Sequence, residues 1–236
     1  MKSSFDAYVV ISGAGKGIGR VIALHLAGTG RYSLVLVSRT ASSLADTTDA
    51  CRALGCETHA IAADLTDPAS LSAVAWPFSE PKPIALINNA GGYIGKKLSD
   101  TLVSELQTQL DQNLMTAFNL TSALLPHLRK HGKGKILTVG SIAAVDGLER
   151  GGAYAASKHA LRGWSASLRQ ELRHEDIGVS LVNIGPTWSS SWEGSAMDPN
   201  RIIDPQDVAV VMESLLQLSP RSVVEELLLM PMRGDL

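Results

Sequence analysis

The sequence predicts an α/β fold, in which a doubly wound, mostly parallel sheet carries helices on both faces. Short runs rich in β-branched residues alternate with longer segments of helical period, the pattern of repeated βα units. Most of the runs are apolar almost throughout, as in strands that are buried on both faces. Glycines follow the segments of helical period, where they commonly end helices.

The predicted elements alternate along the whole chain. The seven runs that predict strands are 7–12, 33–38, 57–62, 84–88, 135–140, 179–184 and 224–230. The six segments of helical period are 17–27, 42–54, 68–74, 102–130, 153–173 and 205–217. Because a helix stands between each strand and the next, neighbouring strands are expected to run parallel.

Composition indicates one folding unit. The chain has 236 residues, 45% of them hydrophobic and 19% charged, which is enough for a large core. It has no internal repeat and no linker, so residues 1–236 are expected to form a single domain. The net charge is −2 and the basic residues are scattered, which argues against binding to nucleic acid or to an anionic membrane.

The N-terminal residues and the cysteines indicate where the protein works. Asp6 interrupts the apolar run that a signal peptide would need, so we expect a cytoplasmic protein. Cys51 and Cys56 are the only cysteines, and they lack the partners of a zinc site. We interpret them as reduced thiols and expect no metal.

Tyr154 and Lys158 stand four residues apart on a predicted helix, so their side chains share one face. A tyrosine with a pKa near ~10 is a weak acid at neutral pH. A cation within several ångströms lowers such a pKa by roughly 1–3 units, toward the range useful for proton transfer. The same spacing also arises by chance on amphipathic helices, so the surrounding motifs decide its meaning.

A glycine-rich turn joins the first predicted strand to the first predicted helix. Free N–H groups and the positive dipole end of a helix attract phosphate, and glycines allow the backbone to approach it closely. This context predicts a dinucleotide pyrophosphate site. Its residues are Gly13, Gly15, Lys16, Gly17, Ile18 and Gly19.

The residues after the second strand indicate which dinucleotide binds. NAD enzymes usually carry an acidic residue there, whereas this chain has Ser38 and Arg39. Arg39 and Lys16 would attract the 2′-phosphate of NADP, which predicts NADP(H) as cofactor, although each is also explained as a solvated loop charge. Asp64 has two interpretations, an acceptor for the adenine amino group or a cap for the helix near Pro68.

Residues 186–204 form the only long stretch without periodicity, and they follow the sixth predicted strand. Ligands of open α/β sheets bind beyond the carboxyl ends of the strands. Loops of this length in compact domains are commonly functional. We therefore predict that this stretch is a lid over the ligand site.

Taken together, the motifs resemble those of the short-chain dehydrogenase/reductase family along nearly the whole chain. The matching motifs are Ser12-Gly-Ala-Gly-Lys-Gly-Ile-Gly19, Asp64-Leu65, Asn88-Asn-Ala-Gly91, Asn113, Ser141 and Tyr154-x-x-x-Lys158. The resemblance implies a Rossmann-type domain with a seven-stranded parallel sheet, assembled as a homodimer or homotetramer. It also implies NAD(P)-dependent interconversion of a carbonyl and an alcohol.

The resemblance further implies a role for each of four residues. Tyr154 would give a proton to the carbonyl oxygen, and Lys158 would lower the pKa of Tyr154 and hold the nicotinamide ribose. Ser141 would hydrogen-bond the substrate oxygen, and Asn113 would hold a water that connects Lys158 to solvent. Taken singly, Ser141 is also explained as a cap after a strand and Asn113 as a satisfied polar residue in a helix.

Cofactor contacts beyond the glycine turn are likewise implied by the resemblance. They are Asp64, Leu65, Asn89, Ala90, Gly91, Tyr154, Lys158, Gly185, Thr187 and Ser189. Asn88 and Asn89 are also explained as turn formers. The chain departs from the family pattern where Ile184 replaces the usual proline and Ser189 the usual threonine, so a less rigid cofactor loop is expected.

The side chains expected around the substrate follow the fourth, fifth and sixth strands, and most are apolar. They are Tyr93, Ile94, Ala143, Val145, Leu148, Trp188 and Trp192. The two tryptophans either clamp a flat or apolar substrate or plug the loop into the core. Residues 221–231 are similar to those of bacterial sepiapterin-reductase-like members, so a pterin ketone is one candidate beside 3-oxoacyl thioesters and other small ketones and aldehydes.

Predicted helices 102–130 and 153–173 carry apolar residues on more than one side, which predicts contact with another subunit. The alternative is that both sides of these helices pack within a single domain. The residues concerned are Leu106, Leu110, Leu114, Phe118, Leu161, Trp164, Leu168 and Leu172. The favoured function is an NADPH-dependent carbonyl reductase, and its rivals are a non-catalytic NADP-binding sensor and an NAD-linked alcohol dehydrogenase.

Overall fold

Seven parallel strands form one sheet in the order β3-β2-β1-β4-β5-β6-β7. The computed structural model describes residues 7–78, 82–189, 192, 194 and 196–234. The strand order reverses between β1 and β4, so the loops that follow these two strands part and leave a crevice at their carboxyl ends. The predicted fold class, a doubly wound parallel sheet flanked by helices, is confirmed.

The strands fall where the apolar runs predict them, with shifts of one or two residues at their ends. Their bounds are β1 Ala7–Ser12, β2 Tyr32–Ser38, β3 Thr58–Ala62, β4 Ile84–Asn88, β5 Gly134–Val139, β6 Ile177–Ile184 and β7 Glu226–Leu229. The edge strands β3 and β7 alternate between covered and exposed residues, because helices do not cover both of their faces. Continuous burial holds for the central strands, such as β1 and β4.

The helices connect the strands on both faces of the sheet. Their bounds are α1 Gly17–Gly28, α2 Ala45–Ala53, α3 Pro68–Ser72, α4 Val103–Leu110, α5 Thr116–His131, α6 Gly152–Leu172 and α7 Pro205–Gln217. One π-helical turn, Asp111–Met115, separates α4 from α5 within the single helix predicted over 102–130. Single π turns inside α-helices occur frequently at functional sites.

Aspartates followed by proline start two of these helices. The Asp67 side chain accepts a hydrogen bond from the backbone N–H of Ala69 at α3, and Asp204 accepts one from Gln206 at α7. Proline in the first turn costs nothing, because its missing N–H would have no partner there. The sequence signal for both starts is therefore the Asp-Pro pair itself.

Two apolar layers form the core, one on each face of the sheet. Val9 and Ile11 of β1 face the layer that contains α1 and α7, whereas Tyr8 and Val10 face the layer that contains α5 and α6. This alternation follows from the two-residue period of a strand. In the part of the chain that the structure describes, no helix combines the length and the apolar character needed to cross a bilayer.

Candidate active site

Loops that follow four neighbouring strands lie along the carboxyl edge of the sheet. They come from β1, β4, β5 and β6, which stand side by side in the sheet. The first turn of α6 lies beside the loop after β5, since the helix packs on the 3₁₀ turn Ile142–Ala144. All four predicted catalytic residues belong to these loops or to the helices next to them.

The glycine turn after β1 has no room for a side chain at Gly13, Gly15 or Gly19. A Cβ on Gly13, whose φ is +65°, would lie 3.0 Å from the Cα of Ala90. A Cβ on Gly19 would strike the carbonyl oxygen of Gly13. Helix α1 therefore packs directly onto the turn and against the loop after β4, as the sequence predicts.

The N-terminus of α1 is suited to bind an anion. Its N-cap residue, Lys16, makes no side-chain hydrogen bond to the first turn, and that turn has no acidic residue. The backbone N–H groups of the first turn are then available to a ligand. Ile18 is partly buried and packs against the core, so its contribution to a cofactor site lies in its backbone. The turn fits a dinucleotide pyrophosphate on these grounds.

Ser12 and Asn89 fasten the loop after β4 to the glycine turn. The Ser12 hydroxyl accepts hydrogen bonds from the backbone N–H groups of Asn89 and Ala90, each at 2.9 Å. The Asn89 amide donates to the carbonyl oxygen of Ser12 at 3.0 Å. Asn88 is buried and donates to the Thr121 hydroxyl at 3.0 Å. The asparagines therefore brace the loop, and Asn89 remains only a predicted cofactor contact.

The residues predicted to distinguish NADP from NAD lie after β2 and in the glycine turn, and Asp64 follows β3. Arg39 and Lys16 are both exposed. Asp64 accepts hydrogen bonds from the backbone and hydroxyl of Thr66, which lower its pKa, and the charge of Arg39 lowers it further. The cap of the helix near Pro68 is Asp67 and not Asp64, so the capping interpretation of Asp64 is wrong. Asp64 stays a predicted adenine contact.

Two other predicted cofactor residues have structural partners. The Ser38 hydroxyl lies 2.8 Å from that of Ser43. Leu65 is 4% exposed, so its side chain belongs to the core, and its carbonyl oxygen accepts a hydrogen bond from the Asn119 amide at 2.9 Å. Only backbone atoms of Leu65 remain for a ligand.

Tyr154 and Ser141 meet at the carboxyl end of β5. A hydrogen bond joins their hydroxyl groups and works to lower the pKa of Tyr154. The Ser141 oxygen also accepts from the backbone N–H of Ala143 at 3.1 Å, so the residue caps the short turn as well. The two interpretations of Ser141 are compatible, because a hydroxyl group can donate its own hydrogen while its oxygen accepts a hydrogen bond.

Lys158 is buried, with 6% of its surface exposed. Its Nζ donates to the carbonyl oxygen of Val139 at 3.1 Å and lies 5.8 Å from the centre of the Tyr154 ring. Burial lowers the pKa of Lys158 from its ordinary value of 10.5 to about 8, because an ammonium loses hydration inside the protein.

Lys158 is not among the groups that set the pKa of Tyr154 in this structure, so its predicted lowering of that pKa stays a prediction. The pKa of Tyr154 is raised, because burial of its hydroxyl disfavours the phenolate more than the hydrogen bond to Ser141 favours it. The neighbouring Tyr93 raises it further. Tyr154 therefore holds its proton at neutral pH, and Lys158 is the member of the pair whose pKa moves toward neutrality.

Asn113 lies in the π turn and is 1% exposed. Its amide NH₂ donates to the carbonyl oxygens of Gly92 at 2.9 Å and Gln109 at 3.0 Å, and its oxygen accepts from the backbone N–H of Gly92 at 3.1 Å. The side chain thus fixes the loop after β4. Its predicted role as the holder of a water stays a prediction.

Asn183 and Gln109 are buried polar residues that the sequence argument missed. Asn183 accepts a hydrogen bond from the backbone N–H of Ser141 at 3.2 Å, and Gln109 accepts one from Ile94 at 3.2 Å. The available signal for Asn183 was an amide inside an otherwise apolar run before the predicted lid. Both residues position loops of the site.

Tyr93 forms one wall of the predicted substrate space. Its ring meets that of Tyr154 edge to face, with centres 5.1 Å apart, and its hydroxyl donates to the carbonyl oxygen of Arg150 at 2.7 Å. A Cβ on Gly95 would lie 2.8 Å from this hydroxyl, and one on Gly151 would lie 3.2 Å from the ring. Glycines therefore cradle Tyr93, which is 57% exposed.

The other predicted pocket residues after β4 and β5 differ in exposure. Leu148 is partly buried close to Gly151, and Val145 is 41% exposed. Ala143 has no exposed surface, because the 3₁₀ turn packs it under α6. Ala143 therefore presents no side-chain surface to an open pocket in this conformation.

The stretch after β6 is tied down at both of its ends. Thr187 pairs with Ile203 in a parallel bridge, and the Thr187 hydroxyl donates to the carbonyl oxygen of Gly185 at 2.9 Å. The Trp192 indole donates to the carbonyl oxygen of Thr187 at 3.0 Å, so this ring folds back onto its own loop. Trp188 and Ser189 are partly buried. Residues 190, 191, 193 and 195 lie outside the described residues.

The family comparison agrees with this geometry. The sequence model of the short chain dehydrogenase family matches residues 7–198. The chain belongs to the short-chain dehydrogenase family. The resemblance drawn from the motifs is thereby confirmed.

Similar proteins span most of this chain. A sepiapterin reductase of Chlorobaculum tepidum is 35% identical over 240 residues, which cover 97% of each chain. The ketoacyl reductase HetN of a Nostoc species is 36% identical over 176 residues, which cover 74% of this chain and 61% of that protein. The solved structure of a metagenomic short-chain oxidoreductase in complex with NADP is 30% identical, with a TM-score of 0.82 and coverage of 97% and 99%.

The depressed pKa of Lys158 predicts a pH dependence of stability. Between about pH 8 and the ordinary lysine pKa of 10.5, the unfolded chain binds more protons than the folded one, so the free energy of unfolding rises with pH. In Lys158→Met, the rise in the free energy of unfolding between about pH 7 and 9 should be smaller by roughly 1 kcal/mol. Chemical denaturation at a series of fixed pH values measures this rise.

Two features make this comparison specific. Burial also lowers the pKa of Lys135 to about 8. Lys135 contributes equally to the wild type and to the variant, so the difference between their two curves reports Lys158. Lys97→Met changes an exposed lysine and should follow the wild-type curve. An unchanged slope in Lys158→Met would mean that the ammonium is not buried.

Proposed function

We propose that this protein catalyses the NADPH-dependent reduction of a ketone or aldehyde to an alcohol. The observation that carries the proposal is the hydrogen-bonded pair of Tyr154 and Ser141 beside the buried Lys158. The pair lies at the carboxyl edge of the sheet, next to a helix N-terminus that has no acidic residue in its first turn. Membership of the short-chain dehydrogenase family supports the same chemistry.

The proton transfer follows from the pKa values of the two ionisable groups. A protonated Tyr154 is an acid ready to donate to the oxygen of a carbonyl, and Ser141 holds that oxygen by a second hydrogen bond. When bound, the reduced nicotinamide supplies the hydride to the carbonyl carbon. Lys158, with its pKa near 8, is suited to return a proton to the phenolate at neutral pH.

The raised pKa of Tyr154 also suits its proposed role as a proton donor. Oxidation of an alcohol would need the phenolate as base, and burial disfavours the phenolate. Reduction needs the neutral phenol, which is the state that burial favours.

NADP(H) is the proposed cofactor. Arg39 and Lys16 are exposed cations next to the turn that would hold the pyrophosphate, and a 2′-phosphate adds negative charge there. The metagenomic relative, 30% identical, was solved in complex with NADP. The exposed Arg39 and the similarity to that relative together support NADP(H) over NAD(H).

The substrate is proposed at the level of a class. Tyr93, which stands edge to face against Tyr154, offers aromatic surface beside the reacting atoms. A flat ketone, such as a pterin side-chain ketone, suits such a surface, and the Chlorobaculum tepidum relative is named a sepiapterin reductase. A 3-oxoacyl thioester is the second candidate, after the ketoacyl reductase relative.

A homo-oligomer is proposed from the exposed apolar residues of the long helix. Leu106 and Phe118 are 36% and 43% exposed, on α4 and α5. On α6, by contrast, Leu161, Leu168 and Leu172 are buried within the domain. The surplus apolar surface predicted for helix 153–173 is therefore reduced to Trp164, whose ring lies 6.1 Å from that of Phe118.

The Arg39 argument predicts a change of cofactor preference. In Arg39→Asp, the ratio of kcat/KM with NADPH to kcat/KM with NADH should fall by roughly 10- to 100-fold, because a charge-assisted phosphate contact becomes a repulsion. Arg233→Asp, which changes an exposed arginine outside the site in the same way, should leave the ratio unaltered. An unaltered ratio in Arg39→Asp would refute the 2′-phosphate contact.

Loss of the proton donor predicts loss of turnover with cofactor binding kept. Tyr154→Phe should lower kcat with diketones, aldehydes or pterins by about 10²- to 10⁴-fold, the usual contribution of a general acid. NADPH binding, followed by fluorescence titration, should persist. Tyr32→Phe is the matched control, because the Tyr32 hydroxyl is buried with no hydrogen-bond partner among the described residues. Tight NADPH binding without turnover in wild type would favour the sensor.

A further inference from the structure

A cavity lies at the opposite edge of the sheet from the candidate active site. It has a volume of about 380 Å³ and opens where β5 and β6 begin, next to the last turns of α6 and residues 218–225. The starts of the two strands are adjacent, since Gly134 pairs with Ile177. Small-molecule sites commonly measure ~300–1,000 Å³, so the cavity is large enough for a small metabolite.

The lining of this cavity is strongly cationic. Two carboxylates, those of Asp176 and Glu225, line it together with five basic side chains. The basic residues are Lys133, Lys135, Arg169, Arg173 and Arg221. The chain as a whole has a net charge of −2, so this concentration of positive charge is local. A concave surface with one sign of charge attracts ligands of the other sign.

Two of the five basic residues hold the walls in place. Lys135 Nζ donates to the carbonyl oxygens of Leu215, Leu216 and Leu218 at 2.8, 2.9 and 2.6 Å, which ties β5 to the end of α7. Arg169 donates to the Glu225 carboxylate at 3.3 Å and to its carbonyl oxygen at 2.7 Å. These contacts explain both residues structurally.

The other three basic residues are exposed at the rim of the cavity. Within the described part of the chain, no carboxylate forms an ion pair with Lys133, Arg173 or Arg221. Arg173 donates only to the side-chain oxygen of Gln170 at 3.1 Å and to a ring nitrogen of His174 at 3.0 Å. The five basic and two acidic side chains leave an excess of positive charge at the cavity.

The backbone at the rim is also unusual. Lys133 and Asp176, with φ of 62° and 52°, are the non-glycine residues with positive φ among those described. They directly precede the strands β5 and β6 respectively. Such backbone conformations are uncommon and concentrate at functional sites. Both of these turns therefore border the same cavity.

We propose that this cavity binds a small anion that carries two or more phosphate groups. Guanidinium and ammonium groups without carboxylate partners match phosphate oxygens in charge and in hydrogen-bond donors. The concave shape and small volume suit a small molecule. The proposal does not depend on the proposed function, because the cavity shares no residue with the candidate active site.

The test is a calorimetric titration of the whole protein with inorganic pyrophosphate, with NADPH in excess to occupy the glycine turn. Arg173→Gln combined with Arg221→Gln should weaken binding at least about tenfold, because two charge-assisted contacts are lost. Both arginines are exposed, so the variant should fold. Lys97→Gln with Arg233→Gln removes two exposed charges outside the cavity and should leave the affinity unchanged.

A third variant separates this site from the nucleotide site. Lys16→Gln combined with Arg39→Gln should retain pyrophosphate binding in full. Loss of binding in that variant, with retention in the Arg173/Arg221 variant, would assign the signal to the glycine turn and overturn the proposal. Equal weakening of pyrophosphate binding in all three double variants would indicate general electrostatic attraction only and would also overturn the proposal. The absence of pyrophosphate binding to the wild-type protein would overturn it as well.

Discussion

The burial of one ammonium group, that of Lys158, constrains the loops at the carboxyl edge of the sheet. Moving a charged group out of water costs free energy unless neighbouring groups pair with it and form hydrogen bonds to it. Here the carbonyl oxygen of Val139 accepts a hydrogen bond, and the Tyr154 ring lies on another side. A Cβ on Gly91 would lie 3.9 Å from Nζ and 2.7 Å from the Asn113 oxygen. Strand end, loop and π turn therefore meet around the same lysine.

Burial acts in opposite directions on the two members of the pair. It raises the pKa of Tyr154 and lowers that of Lys158 to about 8. The phenol stays protonated and the amine approaches neutrality, so the pair is set to give a proton and to replace it. The hydrogen bond from Ser141 works against the first shift and limits it. This order of acidities suits a phenol that protonates a carbonyl oxygen, which is the role proposed for Tyr154.

Backbone periodicity and local chemistry were readable from the sequence, and tertiary effects were not. The central strands and the glycine turn follow from patterns within a few residues, so β1 and α1 begin where predicted. The π turn depends on a clamp between Asn113 and Gly92, which lie 21 positions apart. The pKa directions depend on burial, which spacing does not reveal. The inward face of α6 depends on neighbours such as α4.

The most direct test is a crystal structure with NADP and an unreactive carbonyl analogue bound. The account predicts that the carbonyl oxygen accepts hydrogen bonds from both the Tyr154 and the Ser141 hydroxyl groups, with Tyr93 beside the analogue. The 2′-phosphate should contact Arg39. A carbonyl oxygen bound away from both hydroxyl groups, with the dinucleotide seated on the glycine turn, would contradict the central claim that Tyr154 is the proton donor.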